Sequence, residues 1–164
     1  MKRALPILLC LALALGLPAG TEALPSAAAA PLSPQPAAAG TVVVDGVDLL
    51  TQPLGLLAPS GGGLVRYDSA SATLYLSGAA ITQPGGPGGG AGIYSSLPGG
   101  LTVALGGRST LSGPLAQGVL LPAGNLTITG PGSLSVACGG LGNRQGLSVP
   151  GGAAVIQGGA RVSV

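Results

Sequence analysis

Charge is scarce in this chain. Asp, Glu, Lys and Arg make up 6% of its 164 residues, and His, Trp and Phe are absent altogether. Without His there is no imidazole to complete a nucleophilic triad. Past residue 23 the charged side chains are Arg66, Arg108, Arg144 and Arg161 against Asp45, Asp48 and Asp68, a net charge of +1. So thin a basic balance leaves no electrostatic footprint for nucleic acid or an acidic membrane. General acid–base chemistry needs two titratable groups within reach of one bond. The three Asp all precede residue 69 and none recurs, so no catalytic residue is expected and the chain does not read as an enzyme. Cysteine is nearly missing too. Cys10 lies in the N-terminal apolar run and only Cys138 remains beyond it, which rules out an intrachain disulfide in the processed chain. The parity of Cys138 after Val136 makes it a small inward thiol.

What is abundant falls into three zones. Lys2 and Arg3 precede an apolar run from Ala4 to Leu17, with small residues such as Thr21 and Ala23 behind it. That is the layout of a secretory signal peptide over residues 1–23, and the run is too short for a transmembrane segment. It predicts a secreted, extracellular or cell-surface protein. Residues 24–40, "LPSAAAAPLSPQPAAAG", are Pro and Ala without strand period, which predicts a disordered, semi-rigid linker. The domain proper is residues 41–164.

From Gly61 onward glycine is dense, yet bulky apolar residues recur in register, which a disordered chain does not show. Apolar ladders begin at Leu74, Leu101, Leu126 and Ala154, in steps of 27, 25 and 28 residues. "GIY" at Gly92, "GVL" at Gly118 and "GLS" at Gly146 keep the same beat. Two independent marks with one period define a repeat. Within each unit the alternation has period two, as in "LTITGPGSLSV" from Leu126, so the units are strands joined by glycine corners. A strand pair this short cannot bury its apolar face alone. Stacking each unit on the next does so, which predicts an all-β solenoid, a parallel β-helix of about four coils. Leu74, Leu101, Leu126 and Ala154 are expected to form one inward column and Leu76, Val103, Ile128 and Ile156 the next. Ile81, Leu111, Leu134 and Val162 are expected to open a second wall. The antiparallel sandwich is the alternative, and its mark would be two-residue Asp-Gly or Asn-Gly turns.

In "GVDLLTQ", "YDSASATLYLSGAAI", "GIYSS…GGLTVALGGRSTLSG" and "GVLLPAGNLTITGPGSLSV" the sequence resembles the Gly-rich right-handed parallel β-helix repeats of secreted bacterial proteins, generally labelled carbohydrate-binding-domain-containing proteins. The resemblance covers residues 41–164. It implies a non-catalytic module whose partner is a polysaccharide or cell-wall glycan. Members that bind acidic plant polysaccharide are held to do so through calcium on carboxylates. This chain departs from the family where Val65 stands in the place of a Trp, Gly106 in the place of a Glu and Ser109 in the place of an Asn.

Asp45 and Asp48, in "VDGVD", have the look of a small calcium loop. Calcium wants six or more oxygens, however, and two acids with a glycine supply few. The reading is an ordinary turn, with no metal site and no cofactor, and Asp68 is likewise expected to bond its own backbone. Sugar contact calls for exposed aromatics and polar side chains on an outward face. Tyr75, between Leu74 and Leu76, should point outward, and Tyr94 after inward Ile93 should do likewise. Thr102 and Thr127 continue the outward column from Tyr75, and Arg108 completes the candidate set. A second class of function is a structural or adhesive spacer, self-associating through an open C-terminal coil, since uncapped strand edges template further pairing.

Overall fold

The computed structural model describes residues 40–164. The expected signal peptide and all of the expected linker except Gly40 lie outside the described residues. The alternating segments form fifteen short strands: β1 (Val42–Val44), β2 (Val47–Asp48), β3 (Leu56–Leu57), β4 (Leu64–Asp68), β5 (Thr73–Ser77), β6 (Ala80–Ile81), β7 (Ala91–Ser95), β8 (Leu101–Leu105), β9 (Arg108–Gly113), β10 (Gln117–Leu120), β11 (Leu126–Thr129), β12 (Ser133–Cys138), β13 (Gln145–Ser148), β14 (Ala154–Ile156) and β15 (Arg161–Ser163). From β5 onward every third strand pairs in parallel with its equivalent one turn later. Three walls result. Wall A runs β2-β1-β7-β10-β13, wall B runs β3-β4-β5-β8-β11-β14, and wall C runs β6-β9-β12-β15. The molecule is a parallel β-solenoid of three complete turns, followed by β14 and β15 on walls B and C.

The expected four coils become three because residues 41–68 build something else. β1 lies antiparallel on β7, and β4 antiparallel on β5, so the first turn's strand edges on walls A and B are covered. On wall C the backbone of Gly61 and Gly62 pairs with Ala80 (3.2 and 2.9 Å, respectively) and does the same for β6. This antiparallel cap contains the Asp-Gly turn that had marked the sandwich alternative. Asp45 (φ 50°) and Gly46 (φ 79°) join β1 to β2, both in the left-handed region that such a two-residue turn needs.

The stacking principle holds while its first step slips. Leu101 pairs with Leu126 and Leu126 with Ala154, as expected, but Leu74 pairs with Val103 and Leu76 with Leu105. On wall C, Ile81 pairs with Leu111 and Leu111 with Val136, whereas Leu134 sits between Ser109 and Val162. Each correction is a slip of two residues. A two-residue slip leaves every apolar side chain on the inner face, so alternation alone does not distinguish the registers. The corners decide between them. The Gly106 N–H donates to the Leu76 carbonyl (2.8 Å), which stacks the corner between β8 and β9 on the corner between β5 and β6.

The interior is aliphatic and shut off from solvent. Leu74, Leu76, Ile81, Leu105, Leu111, Leu126, Ile128 and Leu134 are each no more than 1% exposed. Fully burying one such side chain contributes roughly 1.5–3 kcal/mol. The second landmark of the repeat also acquires a cause. Gly92, Gly118 and Gly146 lie on successive rungs of wall A, buried, with their missing side chains facing wall C. A Cβ on Gly118 would overlap Val136 Cγ1 and sit 2.5 Å from the Gly146 carbonyl oxygen. Absence of a side chain there lets wall A lie directly against wall C.

Candidate functional site

The outward residues of wall B form two rows along the stacking axis. Tyr75 is opposite Ala104 and Ala104 opposite Thr129. Thr73 is opposite Thr102, Thr102 opposite Thr127, and Thr127 opposite Val155. The two-residue slip thus moves Tyr75 out of the threonine row and puts Thr73 into it. Neighbouring positions in a row are about 4.8 Å apart. Tyr75 is 40% exposed, as expected. Antiparallel pairing places Arg66 of β4 opposite it, and the Arg66 guanidinium carbon lies 4.9 Å from the centre of the Tyr75 ring. That is a cation–π arrangement, which holds both side chains against the surface. Arg66 is a member of this face that the repeat does not reveal, because it comes from the cap and has no equivalent in the coils.

The remaining candidates separate. Tyr94 is not on an open face: it is 8% exposed, covered by the glycine-rich loop of residues 85–90. A Cβ on Gly86 would lie 2.6 Å from Tyr94 Cγ, so the loop packs on the ring through its bare backbone. Arg108 is exposed but stands at the start of β9, on the outer face of wall C. Tyr75, Thr102 and Thr127 share a face; Arg108 and Tyr94 lie on two others.

The carboxylates are engaged locally. Asp45 is buried, and its Oδ1 accepts from the backbone N–H groups of Thr82 and Gln83, both at 2.7 Å. Its Oδ2 accepts from the Ser60 N–H (2.7 Å) and the Ser60 hydroxyl (2.8 Å). Burial pushes this carboxyl up, but the four donors outweigh burial and hold it below the ordinary carboxylate value. Asp48 caps a short helical turn by accepting from the Leu50 N–H (3.0 Å). Asp68 accepts from the Ser71 hydroxyl (2.8 Å) and the Ala70 N–H (3.1 Å), which lower its pKa. Asp48 and Asp68 are therefore the turn residues they were expected to be, while Asp45 is also the clasp between cap and first coil. An open cleft of about 480 Å³ in the cap includes Gln52, Leu54, Arg66 and Asp68 in its lining.

Among the described residues, no three acidic, His or Cys side chains gather where a metal ion would need them. Every buried side-chain nitrogen or oxygen there has a hydrogen-bond partner. Cys138 keeps its inward parity at the rim of the core, donates to the Gln145 carbonyl (3.4 Å), and has its thiol pushed up by burial. Asn125, formally a glycosylation sequon, accepts from the Ala153 N–H (2.9 Å) across to the next turn. No helix among the described residues is long and apolar enough to cross a membrane. No family model, curated protein or solved structure matches the chain.

Proposed function

We propose that this chain is an exported, non-catalytic module that makes weak, polyvalent contacts with polysaccharide along the outside of wall B. One observation carries the reading. An exposed aromatic ring, braced by a guanidinium, stands at one end of a flat surface that continues through Thr102, Thr127 and Thr129. Such a surface offers an extended glycan an apolar ring face and then hydroxyls at a regular spacing. The engagement of all three carboxylates with local donors supports a binding role over an acid–base one. The test is retention of the protein on a polysaccharide array, with and without calcium. Retention on at least one extended glycan is expected, weakened about tenfold or more in Tyr75→Ala, as for loss of a stacking contact. No retained signal on any glycan would overturn the reading.

The competing reading is an adhesive spacer that self-associates. It draws on the rung of β14, where Val155 and Ile156 are 46% and 48% exposed while the opposite end of the stack is capped. Light scattering at high concentration separates the two readings, and a monodisperse monomer removes the spacer.

A further inference from the structure

Wall C carries a row of positive charge on its outer face. Ser133 of β12 is opposite Arg108 of β9 on one side and Arg161 of β15 on the other. With rungs about 4.8 Å apart, the two arginine positions stand roughly 10 Å apart along the stacking axis, with a hydroxyl between them. Two residues further along the strands, Thr110, Ser135 and Ser163 form a parallel row of hydroxyls in the same register. Ser109, Leu111, Leu134 and Val136, which alternate with these residues, are buried, so both rows face outward. Together they floor an open groove of about 440 Å³.

Among the described residues, the coils give the charge in this groove no counterweight. The sequence has no Asp or Glu after Asp68, so none of the coils supplies a carboxylate side chain to either arginine. Packing does not explain the arginines either, since both side chains are exposed. Extended in parallel from positions two rungs apart, the two guanidinium groups would meet a small oxyanion one at a time. A linear polymer bearing an anionic group at every second rung would meet both, with its neutral part over Ser133, Thr110 and Ser135. A sugar unit in an extended glycan advances by about one rung spacing, so alternate units match the pair. Guanidinium groups are suited to carboxylate and sulfate because both are recognised through two parallel N–H donors. Nucleic acid fits less well. This face has no aromatic side chain to stack on a base, and the net charge is small.

We propose that the groove of Arg108, Ser133 and Arg161 binds a polyanionic glycan running along the solenoid axis, through direct arginine contacts that need no metal ion. This rests on the reading of the chain as a glycan-binding module but uses a different wall, so the two fail separately. The experiment measures retention of the chain on dextran sulfate, polygalacturonate and neutral dextran, with a chelator present, at low and high ionic strength. Arg108→Gln, Arg161→Gln and the double variant are compared with Arg144→Gln, which removes the same single charge elsewhere.

Retention on at least one polyanion is expected at low ionic strength, falling as salt is added. Each groove substitution should weaken it about five- to tenfold and the double variant should abolish it, with Arg144→Gln within about twofold of the parent. Dextran sulfate and polygalacturonate tell sulfate from carboxylate, and retention on either supports the proposal. Absence of retention on both overturns it. So does an equal loss in Arg144→Gln, which would mean net charge alone, or a requirement for calcium. Loss of neutral-glycan retention in Tyr75→Ala with polyanion retention intact would confirm that the two walls act independently.

Discussion

Asp45 offers the sharpest perturbation of the fold. Its carboxylate receives four hydrogen bonds of 2.7–2.8 Å from Ser60, Thr82 and Gln83, and so ties the cap to the first coil at β6. Asp45→Asn keeps size, and Asn tolerates the φ of 50° found here better than most residues. The substituted side chain still accepts from Thr82 and Gln83 through its one oxygen, but turns an NH₂ group toward Ser60. The Ser60 hydroxyl can rotate and accept from that NH₂, while keeping its contact with the Thr82 hydroxyl (2.7 Å). The Ser60 N–H cannot, and is left without an acceptor. One charge-assisted bond lost, with its donor orphaned, costs about 2–3 kcal/mol. That is a large part of the roughly 5–15 kcal/mol that holds an ordinary domain together.

The assay is urea unfolding of parent and Asp45→Asn protein across pH. Because the native carboxyl sits below its ordinary value, its stabilising contribution is full above that ordinary value. It is lost as pH falls through the lowered native one. The gap between the proteins should therefore be widest at neutral pH and close in acid. Asp68, also lowered, is common to both and cancels in the difference. A neutral-pH gap under about 0.5 kcal/mol, or one that ignores pH, would refute the account of Asp45 as a clasp.

The other expectations concern the stack and its faces. Gly118→Ala should lower stability by about 1–3 kcal/mol or prevent folding, because the new methyl overlaps Val136 across the interior; an unchanged thermal midpoint would contradict the close approach of walls A and C. Ile128→Ala, at a side chain with 0% exposure between Val103 and Ile156, should cost about 2–5 kcal/mol in urea unfolding. Tyr75→Ala, by contrast, removes an exposed ring and should weaken glycan retention while leaving the free energy of unfolding within about 0.5 kcal/mol of the parent.

Alternation over Leu126, Ile128, Leu134 and Val136, repeated at a nearly fixed period, was enough to specify strands, an inward face and parallel stacking of the coils. Those are local and periodic properties, and a side chain's parity on a strand belongs to the strand itself. The glycine landmark at Gly92, Gly118 and Gly146 was legible as a mark, though its purpose was not, since its cause is the opposite wall. Register was settled only in three dimensions, because a slip of two residues preserves every parity and the corners alone choose between the alternatives. The cap was likewise hidden: residues 41–68 carry no repeat, and although β4 meets β5 in a local hairpin, β1 finds its partner far along the chain on β7. The same limit governs the candidate sites. Exposure of Tyr75 followed from its neighbours in sequence, whereas burial of Tyr94 came from a loop folding over it, and the partnership of Arg108 with Arg161 came from strands two turns apart. Parity is fixed by adjacent residues, but which surfaces meet depends on how many residues each turn takes to come round.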